Sequence, residues 1–87
     1  MQLTHIVVTK SAHKDLLKID SATRKRMKEK ITDYMIMDNP LLYAVKLKNR
    51  KEGTYRWRIG DYRLIFDIDK NKVVLLRVQH RREVYSK

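Results

Sequence analysis

The chain contains no cysteine, one proline and two glycines among its 87 residues. Without cysteine there is no disulfide-stapled secreted mini-domain and no Cys-based zinc module. So little glycine and proline excludes a linker or a low-complexity segment. No apolar run approaches the ~20 residues that cross a bilayer, and the N-terminus lacks a signal-peptide apolar stretch. A soluble, cytoplasmic protein is therefore expected. Acidic residues are scarce: 10 Asp and Glu against 21 Lys and Arg leave a net charge of +11. That excess predicts an anionic partner. The length allows one domain over residues 1–87, with a radius of gyration of about 12 Å. Apolar residues, at 43%, suffice for a small core beside 36% charged residues.

Gln2–Val8 is rich in β-branched residues and reads as a strand. Helical spacing of Ala12, Leu16 and Leu17 follows, with Ile19 at the edge and Thr9 or Ser11 as cap. Ser21 is placed to cap a longer helix to about Asp38, with Met27, Ile31, Tyr34 and Met35 on one stripe. Asn39-Pro40 stops it, because the residue before proline is driven from the α region. From Tyr43 the period becomes two. Strands are expected over Ala44–Lys48, Tyr55–Ile59, Tyr62–Asp67 and Lys72–Val78. Gly60-Asp61 is the Gly-X pair of a two-residue type II′ hairpin. The order β-α-α-β-β-β-β predicts an α+β fold, a two-helix hairpin on one face of a mostly antiparallel sheet.

Charge concentrates in the sheet half. Residues 46–87 hold 13 basic and 5 acidic side chains, against 8 and 5 in residues 1–45, and seven of nine arginines. The hairpin turn sets Arg58 opposite Arg63 and Arg56 opposite Ile65. Tyr55, Trp57, Ile59, Tyr62, Leu64 and Phe66 then share the face that the helices cover. Arg56, Arg58 and Arg63 share the other. Like charges directly opposed are unfavourable, so the pair implies a neighbouring carboxylate, such as Asp67, or a bound anion. A solvated face of a basic protein is the plainer account. Guanidinium forks, which match phosphate and stack on bases, favour the anion.

Arg77 with His80-Arg81-Arg82 forms a second basic cluster, with Arg77 in the parity of Val73 and Leu75 and able to face the same way as the arginine trio. Lys46 and Lys48 form a third. Tyr85 is suited either to docking on the sheet or to stacking on a base. His5 and His13 read as surface residues, Trp57 and Tyr34 as core. No phosphate loop, dinucleotide fingerprint, zinc spacing or Ser-His-Asp set is present, so neither cofactor nor metal is expected. The basic stretch Arg24–Lys30 suits a membrane surface, but the Met27–Met35 stripe reads as core, and no membrane role is assigned.

Three blocks together resemble the RelE/ParE toxin superfamily, its RelE branch in particular. They are Lys46-Leu47-Lys48, the run Tyr55-Arg56-Trp57-Arg58-Ile59-Gly60-Asp61-Tyr62-Arg63, and His80-Arg81-Arg82-Glu83-Val84-Tyr85. The resemblance spans the whole chain. It implies a toxin of a type II toxin-antitoxin system that acts on the ribosome: a ribosome-dependent, metal-independent endoribonuclease (mRNA interferase) that cleaves mRNA in the A site and inhibits translation. It implies attack of a ribose 2′-OH on the adjacent phosphate, with Arg56, Arg58, Arg63, Arg81 and Tyr85 as catalytic residues. Lys46, Lys48, Arg77, His80 and Arg82 are the expected RNA-binding set. Lysines stand in the family prototype where Arg56 and Arg58 stand here, which leaves His80 or Tyr85 as general base, or transition-state stabilisation to carry most of the rate. Many relatives have glycine where Gln79 stands. The implied partners are an acidic cognate antitoxin, the ribosome with its mRNA, and operator DNA reached through the antitoxin. A ParE-like DNA gyrase poison and a non-catalytic nucleic-acid-binding domain are the alternatives.

Overall fold

A computed structural model describes residues 2–48 and 53–82. The elements are β1 (His5–Val8), α1 (Lys10–Leu17), α2 (Ser21–Ile36), β2 (Ala44–Lys46), β3 (Tyr55–Ile59), β4 (Tyr62–Asp69) and β5 (Lys72–His80). They form one five-stranded sheet in the order β1-β5-β4-β3-β2. β1 runs parallel to β5 and the remaining neighbours pair antiparallel. The predicted order and the α+β class hold, with a radius of gyration of 12.3 Å.

Local chemistry sets the helix ends. The Thr9 hydroxyl accepts from the Ala12 N–H and donates to the Leu75 carbonyl, so one side chain caps α1 and ties it to β5. Asp20, not Ser21, caps α2. Its carboxylate accepts from both the N–H and the hydroxyl of Thr23, whereas Ser21 is already the first helical residue. α2 stops at Ile36, short of Asp38, because Met37 takes an extended backbone. Strand limits also shift. β1 starts at His5 rather than Gln2, β2 ends at Lys46 rather than Lys48, and β5 continues to His80.

The core lies between the helices and one face of the sheet. Trp57, Leu64, Phe66, Val73, Leu75 and Val78 from the strands meet Ala12, Ile19, Met27, Ile31 and Tyr34. Trp57 stacks on Phe66 with ring centroids 4.0 Å apart and contacts Tyr34 at 5.3 Å. Tyr55, Ile59 and Tyr62 pack at its margin, as the hairpin parity predicts. Leu17, by contrast, faces solvent.

The second face of the sheet is not wholly polar. Ile65 is buried there, because Gly53 lies against it and Leu76: a Cβ at Gly53 would fall 2.6 Å from Ile65 Cγ2. The Thr54 N–H donates to the Asp67 carboxylate at 2.6 Å and pins this cover to β4. Asp67 thus holds a loop.

Candidate nucleic-acid interface

The β3–β4 hairpin builds the site. Ile59 pairs with Tyr62, Arg58 with Arg63 and Arg56 with Ile65, the expected register. Gly60 takes φ +58° and Asp61 does not share the positive region, as a type II′ turn requires. That turn matches the twist of the strands and lets the two arginines sit side by side.

β5 brings the third arginine. It runs antiparallel to β4, with Tyr62 opposite His80, so the chain leaves the sheet beside the hairpin turn. There the Arg81 backbone N–H donates to the Asp61 carbonyl at 2.7 Å, and Arg81 Nη1 lies 3.9 Å from the Asp61 carboxylate. Arg58, Asp61, Tyr62, Arg63 and Arg81 line an open notch of about 130 Å³. Three permanently charged guanidinium groups and one carboxylate therefore surround a space that a single phosphate group can enter. Such a site can bind an anion and stabilise charge developing on it, but a guanidinium does not accept a proton.

The other predicted residues lie elsewhere. Arg56 is on the same face of β3, about 7 Å along the strand from Arg58 and outside the notch lining. Arg77 does not follow the parity of Val73 and Leu75, which are core residues. A bulge intervenes: Phe66 pairs with Leu75 and Ile65 with Arg77, leaving Leu76 as the extra residue. The bulge turns Arg77 onto the arginine face by register, yet its Nε donates to Asp15 of α1 at 2.8 Å. His80, paired with Tyr62, is on the helix side of the sheet. Its ring meets Tyr62 edge-on at 5.0 Å, and its Nδ1 accepts from the Arg82 N–H. Asp15, Lys18 and Ile19 share its recess. Lys46 pairs with Tyr55 and so takes the parity of the helix-facing side, while Lys48 lies beyond the end of β2. Arg82 is exposed next to Arg81. Tyr85 lies outside the described residues.

Two acidic residues were not singled out from sequence. The sequence marks Asp61 only as a turn residue, although it stands between Arg58 and Arg63. Asp15 carried no local signal, since its partner Arg77 is 62 positions away.

The comparisons with known proteins agree over nearly the whole chain. The family described as ParE toxin of type II toxin-antitoxin system, parDE, matches residues 6–85. Toxin RelG of Mycobacterium tuberculosis is 32% identical over 84 residues, which cover 91% of this chain and 92% of that protein. In the RelB-RelE antitoxin-toxin complex from Methanococcus jannaschii, a chain superposes with a TM-score of 0.69 at 27% identity, covering 92% of this chain and 95% of that one. The toxin-antitoxin complex RelBE2 from M. tuberculosis gives 0.67 at 31% identity, covering 93% and 94%.

Proposed function

The chain belongs to the ParE toxin family of type II toxin-antitoxin systems, within the RelE/ParE superfamily, and from that premise we propose that it is a ribosome-dependent endoribonuclease. The observation that carries this reading is the convergence of Arg58, Arg63 and Arg81 on one phosphate-sized notch. In the proposed reaction a ribose 2′-oxygen attacks the adjacent phosphorus as its proton leaves. The bond from phosphorus to the 5′-oxygen breaks, and that oxygen takes up a proton. Arg58 and Arg63 hold the phosphate and stabilise the charge that grows on its oxygens, while Arg81 faces the phosphate or the leaving oxygen. Arg56 binds the neighbouring backbone. Tyr85 stacks on the codon or assists transfer of the 2′-proton.

A cognate antitoxin is the partner that this family membership implies, and the basic surface favours an acidic one. Ribosome, mRNA and a cytoplasmic location follow from the proposed reaction. No helix among the described residues is long and apolar enough to cross a membrane.

The test is primer-extension mapping of mRNA ends in a reconstituted translation reaction. Wild type is expected to create new ends inside ribosome-occupied codons. Arg63→Ala should reduce them about 10²–10³-fold, as loss of a charge-stabilising donor does. Absence of new ends with wild-type protein would overturn the reading. The match to the ParE family favours a second reading, inhibition of DNA gyrase, for which expression should cause DNA damage while mRNA stays intact.

A further inference from the structure

Asp61 is the one acidic side chain lining the notch among the described residues. Its carbonyl anchors the Arg81 backbone at 2.7 Å, and its carboxylate stands 3.9 Å from the Arg81 guanidinium. The two contacts do different work. The backbone bond sets where the chain passes the hairpin and does not depend on the side chain. The carboxylate adds one negative charge where three positive groups converge.

We propose that Asp61 is a positioning residue that serves as a resident counter-anion: it holds Arg81 toward the notch in the free protein and is displaced when a phosphodiester enters. The inference rests on the reading of the notch as a phosphate site. An entering phosphate meets a carboxylate of like sign, so binding carries a repulsive cost until that side chain swings away. The side chain is 63% exposed and has room to do so. Asp61 thereby weakens capture of free RNA, and a substrate held in place by other contacts overcomes the cost. A residue chosen only for its turn geometry would behave otherwise, because Asn serves the second turn position as well as Asp.

The experiment measures binding of a short 2′-O-methyl RNA, which lacks the attacking hydroxyl, at low and high salt. Wild type, Asp61→Asn, Asp61→Glu and Arg63→Ala are compared after thermal melts establish that each is folded. Asp61→Asn should bind about fivefold more tightly at low salt, the effect of one unit charge near 4 Å in water. The gain should shrink at high salt. Asp61→Glu, which keeps the charge, should bind like wild type. Equal affinity of Asp61→Asn and wild type, with Arg63→Ala weakened, would overturn the role of Asp61 and leave the phosphate site standing. Unchanged binding by Arg63→Ala would overturn the phosphate site, and the role of Asp61 with it.

Discussion

Asp15 joins α1 to the free edge of β5. Its Oδ2 accepts from Arg77 Nε at 2.8 Å and from the Val78 N–H at 2.9 Å, where β1 no longer pairs with β5. Burial alone would push its carboxyl up. The hydrogen bonds from Arg77 and Val78, with the charges of Arg77 and Lys18, outweigh that and hold it below the usual carboxylate range. The unfolded chain therefore takes up the proton first as pH falls. The stabilisation is complete above the unfolded value near 4 and disappears as pH drops through the lower folded value. Asp15→Asn is expected to lose about 1–3 kcal/mol at pH 7, and urea unfolding at pH 7 and pH 3 should show the gap from wild type closing in acid. Trp57 makes a second residue-scale case. It is fully buried, and its Nε1–H has no hydrogen-bond partner among the described residues. Trp57→Ala should cost about 3–5 kcal/mol. Trp57→Phe should cost much less, because phenylalanine fills most of the space without a buried donor. Chemical denaturation of both variants checks the difference. The burial of Trp57 was legible in the alternation of β3, but the Asp15 contact was not, since nothing near residue 15 marks a partner at 77.

At the scale of elements, two glycines serve opposite needs. Gly60 has φ +58° with open space around it, so Gly60→Ala meets backbone strain and no collision. A cost of about 1–2 kcal/mol is expected, along with weaker RNA binding, because the turn aligns Arg58 with Arg63. Gly53→Ala meets the opposite problem, crowding against Ile65 and Leu76, with an expected loss of about 1–3 kcal/mol. Thermal melts of both variants, with RNA binding measured alongside, separate the effects: Gly53→Ala should leave the hairpin turn intact. The hairpin register was readable because turn type and alternation agree. The bulge at Leu76 was not, because the run Val73–Leu76 is apolar on both parities and conceals the skipped position.

For the whole molecule, the charge of +11 is the property that partners meet first. If the notch takes one phosphate of single-stranded RNA and Arg56 a second, raising salt from 50 to 200 mM should weaken binding about sevenfold. A titration series checks this, and a salt-independent affinity would point to contacts other than phosphate. Coexpression with the cognate antitoxin should relieve growth inhibition by the toxin.

Composition and pattern alone determined the class of fold, the order of elements, the core face of the hairpin and the basic character of one half. Each of these depends on neighbours in sequence: alternation, capping chemistry, a two-residue turn, and a sum of charges. The tertiary structure decided which basic residues stand together. Arg81 reaches Arg58 and Arg63 because β5 lies beside β4 and ends at its turn, while Lys46 and His80 are directed to the helix side by register. Those outcomes depend on strand pairing between distant segments and on one bulge, and periodicity within a strand carries no record of either.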